Sequence, residues 1–139
     1  MKSTAIASQK ELKNLHLDNL DWKSNLEFIE SEVKFINQLL NSYVFEPTTP
    51  NLFERLQEYK ITMKTLEKDI SKLHQEIRKH ENELGGMLEC DTISCDNYYY
   101  KDHLILQQDF DEFYQRFKKL KSEVFNYAGG ILKKNKKDC

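Results

Sequence analysis

Four residues of the chain carry donor atoms that zinc takes in tetrahedral sites: His80, Cys90, Cys95 and His103. Two thiolates and two imidazoles make a Cys2His2 set, so a metal-binding or thiol-based sensor is one expectation. The spacing works against it, because C-x4-C stands at the loose end of the usual range. The surrounding segment MLECDTISCDN also lacks the compact knuckle of a zinc ribbon. A second expectation uses the histidines without metal. Asn19, His80 and His103 each interrupt an otherwise apolar helical stripe, and the three interruptions fall at one level. Such a buried polar layer fixes register and orientation at some expense of stability. A third reading has the helices splaying apart at this level, with both histidines partly solvated.

Other chemistries fail on the residues they need. A di-iron carboxylate bundle requires Glu-x-x-His on two helices, whereas Ile77 stands three residues before His80. Nucleophilic catalysis requires a Ser, Cys or Thr held against a base and an orienting group, and phosphate binding requires a glycine-rich turn that opens a helix. Gly85-Gly86 is followed by Met87-Leu88 and matches no such pattern. The chain therefore reads as non-enzymatic, with no cofactor unless zinc.

These residues are positioned by three heptad seams. The first runs through Leu12, Leu15, Asn19, Trp22, Leu26, Ile29, Val33, Ile36, Leu40 and Tyr43 at alternating steps of four and three. That rhythm predicts a coiled-coil-like helix over about residues 9–45, with Ser8 and Glu11 as a capping box. The segment Glu46-Pro47-Thr48-Thr49-Pro50 breaks the ladder, and Pro50 suits the first turn of a second helix over 50–84, capped by Thr49 and closed by Gly85-Gly86. Its seam is Leu52, Leu56, Tyr59, Met63, Leu66, Ile70, Leu73, Ile77, His80 and Leu84. Residues 87–97 read as a loop. A third helix, over 97–128, carries Tyr99, His103, Leu106, Phe110, Phe113, Phe117, Leu120, Val124 and Tyr127, and 129–139 reads as a frayed basic tail.

Three helices of matched length joined by short connections predict an all-α, antiparallel, up-down-up three-helix bundle of long coiled-coil-like helices. Length matching then sets the layers. Trp22 faces Ile77 and Leu106, Leu26 faces Leu73 and Phe110, Ile29 faces Ile70 and Phe113, and Val33 faces Leu66 and Phe117. Ile36/Met63/Leu120, Leu40/Tyr59/Val124 and Tyr43/Leu56/Tyr127 follow.

Composition agrees with that fold class and narrows the partners. The chain has 139 residues with only 4 Gly and 2 Pro, too little turn material for a many-stranded fold and a length that predicts one domain, 1–139. Its 21 basic and 23 acidic residues leave a net charge of -2, so no overall field draws nucleic acid or an anionic membrane. No apolar run is long enough to span a bilayer, residues 1–10 lack a signal-peptide core, and the three cysteines form no dense disulfide framework. The expected location is cytoplasmic.

One feature of helix 1 points to a protein partner or to self-association as a homodimer. Phe28, Phe35 and Leu39, with Leu17 and Leu20 upstream, lie off the seam and face water in a three-helix bundle. Exposed aromatic rows of this kind mark contact surfaces, although the same residues can simply widen the core boundary. The leading functional expectation is a scaffold or adaptor that acts through this face. The run Tyr98-Tyr99-Tyr100 could stack on a base, but the acidic residues around it favour Tyr99 packing inward with Tyr98 and Tyr100 exposed, and the Lys133–Lys137 region reads as a solvated tail.

Overall fold

Apolar side chains repeating every three to four residues can leave water only if their helices pack seam to seam, and the chain does this. In the computed structural model, which describes residues 9–42, 50–89 and 93–137, α1 spans Gln9–Leu40, α2 Pro50–Glu89 and α3 Ile93–Lys137. The fold is an all-α three-helix bundle. No helix among the described residues is long and apolar enough to cross a membrane.

Contacts divide the chain into two compact units, one drawn from Met1–Glu27 and Ser71–Glu112, the other from Phe28–Ile70 and Phe113–Cys139. In the first unit Leu15, Trp22 and Leu26 of α1, Leu73, Ile77, Leu84 and Met87 of α2, and Tyr99, Leu106 and Phe110 of α3 are buried. Tyr100 bonds Glu11, His103 contacts Asp18 and Phe110 meets Trp22, so α1 and α3 ascend together. Leu84 and Met87 cluster with Tyr99 while His80 meets His103, so α2 runs the opposite way.

The second unit repeats the arrangement with its own residues. Ile29, Val33, Ile36 and Leu40 are buried with Leu56, Tyr59, Met63, Leu66 and Ile70, and with Phe113, Phe117 and Val124. Arg116 pairs with Asp69 at 3.2 Å and the Tyr127 hydroxyl donates to the Leu52 carbonyl at 2.8 Å, which makes α2 and α3 antiparallel here too. Lys121 pairs with Glu32, and Leu39 packs against Ala128 and Ile131, so α1 and α3 are parallel. Leu120 is only half-buried, and Tyr43 lies outside the described residues.

Helix ends depart from the sequence expectation. Helix α1 stops at Leu40, where the Asn41 side-chain amide and backbone N–H both bond the Asn37 carbonyl and the Ser42 N–H turns back to Leu39. That satisfies carbonyls which the helix end would otherwise orphan. Residues 43–45, Ser8 and Thr49 lie outside the described residues. Gly85-Gly86 does not end α2, and Gly129-Gly130 does not end α3. Of the stretch 87–97 expected as a loop, residues 87–89 belong to α2 and 93–97 to α3, while 90–92 lie outside the described residues; likewise residues 129–137 of the expected tail are helical. The reason is tertiary. Met87 joins Leu15, Leu84 and Tyr99 in one cluster, and Ala128 and Ile131 pack with Leu39, Leu52 and Tyr127, so burial beyond each glycine pair outweighs the glycines' poor helix propensity.

None of these glycines has a positive φ, and a methyl group added at any of them meets nothing within 4 Å. Gly85→Ala/Gly86→Ala is therefore expected to stabilise the fold by about 0.5–1 kcal/mol per site. Urea unfolding of the double variant checks it, and a loss of stability would show that the α2 backbone at this pair needs glycine after all.

Candidate functional site: a buried histidine pair

Among the described residues, the buried polar ones lie in the first unit. Asn19 and His80 are each 1% exposed and His103 is 4% exposed, with Asp96 also buried in the first turn of α3, where an acid suits the helix dipole. Each lies on its helix's apolar seam, so packing of the neighbouring Leu and aromatic residues carries it inside.

The two histidines meet directly. His80 Nε2 stands 2.8 Å from His103 Nδ1, and His103 Nε2 stands 3.0 Å from Asp18 Oδ2. The carboxylate can only accept, so His103 Nε2 carries a proton and donates it. With one proton on each imidazole, Nδ1 of His103 accepts and His80 Nε2–H donates to it. This proton order leaves His80 Nδ1 as a bare lone pair. That nitrogen is buried without a hydrogen-bond partner. Asp102 Oδ2 stands 3.5 Å from it and Glu83 Oε1 3.8 Å, both acceptors as well.

Aromatic rings wall the pair. Tyr99 stacks on His80 with centroids 4.1 Å apart and planes 10° from parallel, and Trp22 lies 4.8 Å from His103. Asn19 does not bond to either histidine; its amide donates to the Tyr99 hydroxyl at 3.2 Å. Burial lowers the His80 pKa, and the neighbouring His103 adds to the shift, against the smaller opposing pull of Asp102 and Glu81. Burial also pushes the Tyr99 hydroxyl up to about 12. Glu83 is raised by desolvation first, then by the adjoining Asp102. Tyr100, half-buried rather than exposed as expected, donates to Glu11 at 3.2 Å, whereas Tyr98 is exposed.

No protein-family model matches the chain, and comparison with curated proteins and with solved structures finds no match.

Of the expected Cys2His2 set, His80 and His103 are together, Cys90 lies outside the described residues, and α3 includes Cys95. With both nitrogens of His103 and Nε2 of His80 engaged, His80 Nδ1 is the ring nitrogen of this pair open to a further ligand. Asp18, Asp102 and Glu83 had no signal in the stripes, since all three lie off the seams. Their only trace is adjacency: Asp18 and Asp102 directly precede Asn19 and His103, and Glu83 follows His80 by three.

The expected contact surface is divided between the units. Leu17 and Leu20 are exposed in the first unit, and Phe28 and Phe35 are 65% and 56% exposed in the second. Leu39 departs from its group because it is half-buried against Ala128 and Ile131 and belongs to the core margin.

Proposed function

We propose that the chain is a non-enzymatic helical-bundle protein that works as a scaffold or adaptor through protein contacts, with a second copy of itself as the simplest partner. One observation carries this reading: Phe28 and Phe35 present two large aromatic rings to water two turns apart on α1, while Ile29, Val33 and Ile36 beside them are buried. Leaving a phenylalanine in water forgoes about 1.5–3 kcal/mol, and a row of two on one helix face matches the geometry by which helices pair. A two-fold contact would set the row against its own copy.

Sedimentation of the full chain over a range of concentrations tests it, with Phe28→Glu/Phe35→Glu as the variant. Wild type is expected to self-associate, and the variant to weaken that association about tenfold or more, since each 1.4 kcal/mol is a factor of about ten. A wild type that stays monomeric at every concentration, unchanged by the substitutions, overturns it.

A further inference from the structure

Three acceptor atoms converge in the first unit with no donor among them: His80 Nδ1, Glu83 Oε1 and Asp102 Oδ2, all within 4.8 Å of one another. We propose that His80, Glu83 and Asp102 form a divalent-cation site, one imidazole nitrogen and two carboxylate oxygens, for a first-row ion of the Zn2+, Co2+ or Mn2+ class. It does not depend on the contact-surface reading.

Geometry, proton order and access all favour a cation. The His80 ring is 1% exposed, and its Nδ1 and the Glu83 Oε1 are both buried without a hydrogen-bond partner. Nδ1 faces Asp102 at 3.5 Å and Glu83 at 3.8 Å. A tetrahedral ion with bonds of about 2.0–2.2 Å separates its ligand atoms by about 3.3–3.6 Å, so little closure is needed. The imidazole also arrives in the form a metal takes, with Nδ1 deprotonated and Nε2–H tied through His103 to Asp18. A ligand histidine anchored by its far nitrogen is the usual second layer of such sites. A cleft of about 100 Å3 reaches Glu83 and Asp102 and is lined also by Glu76, Asp109 and Lys79, so four carboxylates and a single ammonium face it. That space is about three water volumes, enough to deliver an ion and leave it a water ligand. Glu83 and Asp102 crowd each other, and a cation between them removes the repulsion that a proton otherwise relieves. One nitrogen and two oxygens suit borderline ions better than Ca2+, which takes oxygen alone.

Titration of the chelator-treated full chain with Co2+, followed by visible absorption and calorimetry, tests the site. One ion is expected to bind per chain without a thiolate-to-cobalt charge-transfer band. Glu83→Gln and Asp102→Asn, each close in shape to the original and partly exposed, are expected to weaken binding about tenfold or more while leaving far-UV circular dichroism unchanged. Cys90→Ser/Cys95→Ser is expected to bind as wild type does. Absence of saturable binding overturns the proposal. So does binding that survives both carboxylate variants, or binding that carries the thiolate band and is lost with the cysteines.

Discussion

Trp22→Ala is expected to lower stability by about 3–5 kcal/mol, among the largest effects of any single substitution in the chain. The indole is almost fully buried and its ring reaches three others, with centroids 4.8 Å from His103, 6.5 Å from His80 and 6.4 Å from Phe110. Truncation removes that contact area and leaves a cavity beside the histidine pair, a space roomy enough and polar enough to admit water. Water there weakens the desolvation that lowers the His80 pKa. The variant should therefore be less stable and also less sensitive to pH between 7.5 and 5.5. Met63→Ala in the second unit separates the two effects: Met63 is fully buried, so the substitution should cost about 2–5 kcal/mol yet keep the wild-type pH dependence. Urea unfolding at both pH values makes the comparison. Equal flattening in the two variants would detach the pH response from the histidines' surroundings.

The level at which Asn19, His80 and His103 lie could be read from the chain because a heptad seam is a one-dimensional rule. Each polar residue occupies a position where its helix otherwise places Leu, Ile or Phe, and that position determines both burial and height along the helix. Partner identity obeys no such rule. Asp18, Glu83 and Asp102 occupy flank positions, where whether a carboxylate turns inward depends on rotamer and on what it finds there. Asn19 bonds Tyr99 instead of a histidine for the same reason. Helix ends were the least legible part of the fold. A glycine pair signals a stop through its backbone freedom, but Met87, Ala128 and Ile131 beyond the pairs have apolar clusters to join, and that burial carries the helix through. The exposed row was legible in part: Phe28 and Phe35 face water as their off-seam positions dictate, whereas Leu39, on the same stripe, reaches Ala128 and Ile131 near the end of α1.

The histidine pair itself is expected to behave as one unit. His80→Leu strands the Nδ1 of His103, and His103→Leu strands the Nε2–H of His80; a buried group left without its partner costs about 1–3 kcal/mol. His80→Leu/His103→Leu replaces both polar rings by apolar side chains, so its cost should fall well below the sum of the two single costs, and the shortfall measures their coupling. The pair's pH signature follows from the direction of the His80 shift. Folding lowers the His80 pKa, chiefly through burial and then through His103, while Asp102 and Glu81 pull the other way and Glu83 and Tyr99 also face the ring. Above about pH 6.5, the value of a solvated imidazole, neither state binds the proton and the fold keeps its full stability. Below it the unfolded chain takes a proton that the folded His80 refuses, so stability falls with pH by at most about 1.4 kcal/mol per unit until the lowered pKa is reached. Metal-free protein, melted in chelator between pH 7.5 and 5.5, should show this decline in wild type and lose most of it in the double variant. His16 and His74 are present in both proteins, so their titration drops out of the difference. If wild type and double variant decline in parallel, the acid sensitivity arises elsewhere in the chain, and the His80–His103 bond is then a contact that packing can replace without any consequence for pH.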